Sequence, residues 1–226
     1  MNRNPSLYLV PTPIGNLEDI TLRAIRVLKE VDFILSEDTR QTGILLKHFG
    51  IRNSLVSHHQ FNEHKSIESI ISRLKAGEVA ALVSDAGTPG ISDPGFLLVR
   101  ACLQEELDVE SLPGPTALIP ALVNSGLPCE SFLFVGFLPH KKGRAGKLKE
   151  LSSSPYTLVF YESPFRLSKL IAQLMESMGP DRRASVSREL TKIYEETLRG
   201  TLQELSEQFA EKDVKGEIVL VVEGAR

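Results

Sequence analysis

The residues best suited to chemistry in this chain follow directly on short apolar runs. The run VAALV leads into Ser84–Gly95, SDAGTPGISDPG, twelve residues that include Gly87, Gly90 and Gly95 with Pro89 and Pro94. LYLV leads into PTPIGN at Pro11–Asn16, and LVFY runs into YESPFR at Tyr161–Arg166. Glycine lets a ligand approach the backbone and proline fixes the loop around it, so these loops are suited to cradling a small molecule. Asp85 and Asp93 lie in the longest of these loops, and Glu37 and Asp38 elsewhere in the chain, as scattered carboxylates. They could suggest magnesium, but acids beside Gly and Ser serve more commonly as caps and loop acceptors, and no metal is expected. Neither GxGxxG nor GxxxxGK[ST] occurs, so the ordinary dinucleotide and phosphate loops lack their defining residues. A different chemistry is signalled by Lys141, Lys142, Arg144, Lys147 and Lys149, five cations in nine residues. Phosphate contact is the natural use of such a loop.

Short β-branched and aromatic runs alternate with segments of helical period, which predicts α/β architecture built from βαβ units on a mainly parallel sheet. In such sheets ligands collect beyond the carboxyl ends of the strands, where these loops lie. Strands are expected at Leu7–Val10, Val31–Leu35, Leu55–Ser57, Val79–Val83 and Val109–Leu112, then at Phe132–Phe137, Thr157–Tyr161, Ala184–Arg188, near Ile193–Leu198, and at Ile218–Val222. Ile67, Ile70, Ile71 and Leu74 form a helical stripe over Lys65–Ala76 that Gly77 ends; Leu167, Leu170, Ile171, Leu174 and Met178 form another. Asp93-Pro94 and Ser163-Pro164 read as N-cap and first helical residue, and Thr201 with Glu204 as a capping box. Pro113-Gly-Pro115 marks a boundary, giving domains 1–113 and 114–226.

The composition admits an ordinary globular protein: 226 residues, 42% hydrophobic and 24% charged, a range in which disorder and fibre are excluded. No apolar run reaches the roughly 20 residues of a membrane span, and MNRNPS at the start has no apolar core of a signal peptide. A cytoplasmic protein is expected. Cys102 and Cys129 have no partner spacing and are expected to be buried free thiols. The net charge of −3 confines nucleic-acid contact to a local patch such as the basic loop.

Six segments in order, TPIGNLEDIT, EDTRQTGILLKHFGI, VSDAGTPGISDPG, PGPTA, GFLP and YESPFRL, resemble the tetrapyrrole-methylase superfamily over Leu7 to about Gly224, and within it the branch that methylates ribosomal RNA. The resemblance implies two α/β domains with S-adenosylmethionine in the cleft between them, and a homodimer. It also implies methylation of the ribose 2′-hydroxyl of a cytidine in small-subunit ribosomal RNA, free or in the assembled subunit. Carried onto this sequence, it assigns the cofactor to Pro13 and Gly15, to Asp85, Gly87, Thr88 and Ile91, to Thr116 and Ala117, and to Tyr161 and Glu162. Arg188, Gly216 and Glu217 follow less directly. Asp38 beside Arg40 in EDTR, and His59 and Glu63 in HQFNE, become candidates to accept the 2′-hydroxyl proton; Phe61 stands where the family frequently has a second His. Asp38 is slightly favoured, since it follows a strand. Lys141, Lys142 and Arg144 would hold RNA phosphates. Members usually continue some tens of residues past the matching GEIVLVVEG, a difference expected to bear on RNA affinity and target choice rather than on the cofactor. A porphyrinoid methyltransferase is the alternative within the family, although the charged entrance suits a macrocycle poorly. A non-catalytic, cofactor-binding ribosome-assembly module is the alternative outside enzymes.

Overall fold

The structure, a computed structural model, describes residues 5–59, 61–210 and 214–225. Gln60 of HQFNE and the first four residues of MNRNPS lie outside them. The chain divides into two compact units, Met1–Thr116 and Ala117–Arg226.

The first unit runs β1 (Leu7–Leu9), α1 (Leu22–Glu30), β2 (Phe33–Ser36), α2 (Thr39–His48), β3 (Leu55–Ser57), α3 (Glu63–Lys75), β4 (Ala80–Val83), α4 (Phe96–Gln104) and β5 (Val109–Ser111). The strands form a sheet of order β3-β2-β4-β1-β5 in which every pairing is parallel. Alternate strand residues go to opposite faces. Ile34, Ala81 and Val83 pack with Ala24, Val27 and Leu28 of α1, whereas Phe33, Leu35 and Leu82 pack with Ile70, Ile71 and Leu74 of α3 and Leu98 of α4. Both faces are covered, so β2 and β4 are buried at every residue and read as unbroken apolar runs.

The second unit runs α5 (Leu118–Ser125), β6 (Phe132–Gly136), α6 (Arg144–Ser152), β7 (Thr157–Glu162), α7 (Leu167–Met178), β8 (Arg183–Arg188), β9 (Glu196–Thr201), α8 (Leu202–Phe209) and β10 (Ile218–Val222). Its sheet order is β6-β7-β10-β8-β9, and only β6 and β7 are parallel. The expectation of a mainly parallel sheet therefore fails here. β10 enters antiparallel between β7 and β8 and is buried at all five residues, so its composition matches that of a parallel-sheet strand.

The stripe on α7 is buried as expected, and Thr201 and Glu204 form the capping box at α8. Other local readings are corrected. Asp93 does not cap α4, which starts at Phe96 after Gly95 at φ +137°. Ser163-Pro164 opens a 3-10 turn, Pro164–Arg166, that leads into α7 without a serine cap bond. The ninth strand starts three residues late, because Ile193 and Tyr194 stand exposed in the preceding loop. Cys102 is buried, but Cys129 is exposed in the segment before the edge strand β6.

Candidate active site

Because the first sheet is wholly parallel, the loops leaving its strands emerge along one edge. Hydrogen bonds join them. The Thr12 N–H donates to the Gly87 carbonyl and the Gly87 N–H to the Thr12 carbonyl, both at 2.9 Å, and Thr12 Oγ1 donates to the Ser84 carbonyl at 3.1 Å. Gly87 has φ +78°, and a Cβ there would touch Ile14 Cγ2 at 3.4 Å, so a glycine allows this approach without strain. Thr88 Oγ1 donates to the Pro115 carbonyl at 3.2 Å, and the Asp38 N–H donates to Asp85 Oδ1 at 3.0 Å. Loops after β1, β2, β4 and β5 are thus tied into one rim.

A cavity of about 320 Å³ opens on this rim, lined by Pro13, Gly15 and Asp85 together with Gln41, Ile44 and His48 of α2. The first three were expected from the sequence. Gly87 and Thr88 lie on the adjoining chain, and Ile91 is partly exposed further along the same loop. The α2 residues were missed, although 41, 44, 45 and 48 have the i, i+3, i+4, i+7 spacing of one helix face. Thr116 closes the first unit, whereas Ala117, Tyr161 and Glu162 belong to the second.

The candidate proton acceptors differ sharply in environment. Asp38 Oδ1 accepts from the Arg40 N–H at 2.8 Å and from Nε at 3.1 Å, and Oδ2 accepts from Nη2 at 2.7 Å. The Arg40 guanidinium and backbone hold its carboxyl down to about 2. So acidic a group is a weak base, and its oxygens are engaged in capping α2 and holding Arg40. Glu63 is buried; its Oε1 accepts from the Gly95 N–H at 3.2 Å and lies 3.9 Å from Nε2 of the fully buried His58. Burial lowers the His58 pKa, and its Nδ1 bonds Ser66 Oγ at 2.9 Å. Glu63 therefore braces the Gly-rich loop from beneath. His59 Nδ1 accepts from the Phe61 N–H at 3.2 Å, which in the neutral ring assigns the proton to Nε2. Two further acids, Glu37 and Asp93, have raised pKa values. Burial raises the Glu37 pKa, Asp85 adds to the rise, and His59 opposes it. Asp93 is pushed up to about 6 by burial and by Glu37, against a hydrogen bond from Ser84. Among the described residues, no group of three or more His, Cys, Asp or Glu is arranged to hold a metal ion.

In the second unit Glu162 is buried, with Oε1 at 2.7 Å from Arg166 Nη2 and Oε2 at 3.6 Å from Arg144 Nη2. Arg144 is itself buried: its Nε donates to Gln173 Oε1 at 2.8 Å and its Nη1 to the Pro139 carbonyl at 3.2 Å. That departs from the exposed phosphate contact expected of it, because the first turn of α6 directs the side chain inward against α7. Lys141 and Lys142 are exposed. Arg188 meets Glu196 at 3.5 Å and Glu217 meets Lys192 at 3.2 Å, while a Cβ at Gly216 would collide with Glu189.

A doubly wound parallel unit with a glycine-rich rim, joined in sequence to a mixed-sheet α/β unit, defines a two-unit α/β ligand-binding protein. The family of Tetrapyrrole (Corrin/Porphyrin) Methylases matches residues 6–206, and the chain belongs to that family, as its motifs imply. A protein of Halalkalibacterium halodurans named ribosomal RNA small subunit methyltransferase I is 52% identical over 220 residues, covering 97% of this chain and 76% of the relative. Its namesake in Hydrogenobaculum sp. is 50% identical, covering 96% and 94%, and that of Escherichia coli O157:H7 is 48% identical, covering 99% and 79%. Among solved structures, the methyltransferase CobJ superposes with TM-score 0.72 at 18% identity, covering 98% of this chain and 95% of its own. Uroporphyrin-III C-methyltransferase of Thermus thermophilus, complexed with S-adenyl homocysteine, gives TM-score 0.65 at 23% identity, covering 96% of both chains. Both likenesses bear on the fold. No helix among the described residues is long and apolar enough to cross a membrane.

Proposed function

We propose that this chain transfers a methyl group from S-adenosylmethionine to the 2′-hydroxyl of a cytidine ribose in small-subunit ribosomal RNA. The observation that carries the reading is its near-half identity, over almost its whole length, to proteins named for methylating that RNA. The donor set of the rim fits the cofactor: backbone groups of Pro13–Gly15 and an exposed Asp85 carboxylate for its cationic groups, with Gly87 and Thr88 on the adjoining chain. Ile91, Thr116 and Ala117, with Tyr161 and Glu162, complete the set that the family motifs assign. S-adenosylmethionine supplies a methyl already activated by its sulfonium, so the protein's part is in-line placement and removal of one proton. Glu37, at the carboxyl end of β2, accepts the ribose proton in this scheme, while Asp38 and Glu63 hold the frame. A homodimer in the cytoplasm completes the reading; light scattering should then give twice the 25.0 kDa of one chain.

The test supplies unmethylated small subunits and S-adenosylmethionine, then analyses the rRNA nucleosides by mass spectrometry. A 2′-O-methylcytidine formed only with active protein supports the reading, and none removes it. Thr88→Arg, which fills the rim, is expected to abolish calorimetric cofactor binding in a folded protein; unchanged affinity would take this loop out of the site.

A further inference from the structure

The second unit carries exposed residues, next to Tyr161 and Glu162, that none of the cofactor assignments names. β6 and β7 are parallel neighbours, so the segments that leave their carboxyl ends emerge side by side. The first presents Phe137, 51% exposed, and the second Phe165, 92% exposed. Single exposed apolar side chains are common on any surface and carry no message. Here the Phe137 ring is braced by its neighbours, and Phe165 is placed through its backbone turn. The Phe137 ring meets Tyr161 edge-on at 5.8 Å, and Tyr161 meets Phe134 at 5.0 Å, so Phe137 rests on a pile of rings rooted in the sheet. Phe165 sits in the 3-10 turn Pro164–Arg166, whose last residue is pinned to buried Glu162. The same Arg166 bonds His140 through Nη1 at 2.8 Å, tying the two segments together. Next along the first segment come Lys141 and Lys142, exposed and without an ion pair among the described residues.

Exposed rings beside unpaired cations are the chemistry of a single-stranded nucleic-acid platform: bases stack on the rings and phosphates meet the ammonium groups. We infer that Phe137, Phe165, Lys141 and Lys142 form a stacking shelf for unpaired RNA, through which the protein selects a single-stranded stretch flanking its target. This rests on the RNA reading of function and adds a preference for unpaired over duplex RNA. The Phe137 ring is braced before binding, so little side-chain entropy is lost when a base settles on it. The two contributions have different salt dependence. Stacking releases no counterions, whereas each phosphate contact to a single strand steepens the slope of log K against log salt by about 0.7.

Fluorescence anisotropy with a labelled unpaired RNA 12-mer and a blunt duplex of the same sequence, over a series of KCl concentrations, tests the shelf. Phe165→Ala and Phe137→Ala should each weaken binding to the unpaired strand by about 5- to 150-fold with an unchanged salt slope, and should leave duplex binding alone. Phe165→Tyr, which keeps a stacking face, should restore affinity. Lys141→Ala with Lys142→Ala should instead lower the slope by about 1.4. Affinity of both phenylalanine variants within twofold of the parent overturns the proposal, as does equal loss on the duplex. A fall in calorimetric S-adenosylmethionine affinity would place these rings in the cofactor site instead and also overturns it. Methylation of assembled subunits, read by mass spectrometry on the same preparations, reports separately on the catalytic reading.

Discussion

Glu63 distinguishes most directly between a group that does chemistry and a group that holds chemistry in place. If it is a brace, Glu63→Ala removes the acceptor of the Gly95 N–H, at 3.2 Å, beneath the Gly-rich loop. A hydrogen bond to a charged group contributes about 1.5–3 kcal/mol, and an acid in the first turn of a helix a further 0.3–1 kcal/mol or so. Together the loss is about 2–4 kcal/mol. Glu63→Gln keeps an oxygen for Gly95 and forfeits mainly the charge, so its cost should be about 0.5–1.5 kcal/mol. Urea unfolding gives both numbers, calorimetry with S-adenosylmethionine shows whether the loop above still holds its shape, and single-turnover methylation gives the chemical step. The expected pattern is a destabilised Ala variant with weakened cofactor binding, and a Gln variant whose turnover stays within about tenfold of the parent. A general base contributes about 10²- to 10⁴-fold. A Gln variant with parental stability and cofactor affinity but turnover reduced by that factor would refute the brace and make Glu63 the proton acceptor. An Ala variant as stable as the parent would refute it equally.

Glu37→Gln should flatten the pH dependence of single-turnover methylation. In the parent the rate should rise with pH through a carboxyl titrating above the ordinary range and then level; the variant should run about 10²- to 10⁴-fold lower at the plateau, and a parental profile would exclude Glu37 as base. Asp93, at about 6 in the folded chain against 3.8 ordinarily, binds its proton more tightly when folded, so stability is lost as pH rises through that window and the penalty persists at pH 7. Asp93→Asn should therefore stabilise at pH 7 by about 1 kcal/mol after allowance for solvent screening, and not at pH 3.5; urea midpoints at the two pH values check the sign. Arg144→Ala should destabilise by about 1.5–3 kcal/mol, since it removes charged hydrogen bonds from a buried guanidinium. It should leave the salt slope of RNA binding unchanged, and a flattened slope would return Arg144 to the phosphate contacts.

Composition made the rim legible. Gly87, Pro89 and Gly95 stand out because glycine and proline have few uses inside regular elements, and β3 and β10 have the bounds expected from the sequence. Pairing was not legible: a strand buried on both faces looks the same whether its neighbours run parallel or antiparallel, so β10 gave no sign of reversing the second sheet. Nor does residue type reveal direction. Arg144 shares its stretch with Lys141 and Lys142, yet a helix that begins there turns it inward while they stay in water. Asp38 and Glu37 are adjacent acids, and only their surroundings, Arg40 for one and burial for the other, shift their pKa values in opposite directions. The cavity face of α2 reads as an ordinary amphipathic stripe until Ile44 is found 67% exposed beside Pro13 and Gly15.

The position of β10 at the centre of its sheet has a consequence for how the chain is made. The first unit has all five of its strands once Ser111 has been synthesised, so its sheet can close while translation continues. The second cannot do the same. β7 and β8 have no partner in each other, and both wait for Ile218–Val222 to pass between them. At about 5–20 residues per second, the wait for Val222 lasts roughly 3–12 s from the end of β7 at Glu162 and roughly 2–7 s from the end of β8 at Arg188. For that time the exposed edges of β7 and β8 are open to any other extended chain nearby. Chaperone demand, and aggregation when expression outruns it, should therefore fall on the second unit, and a peptide supplying β10 in trans is the reagent that would relieve it.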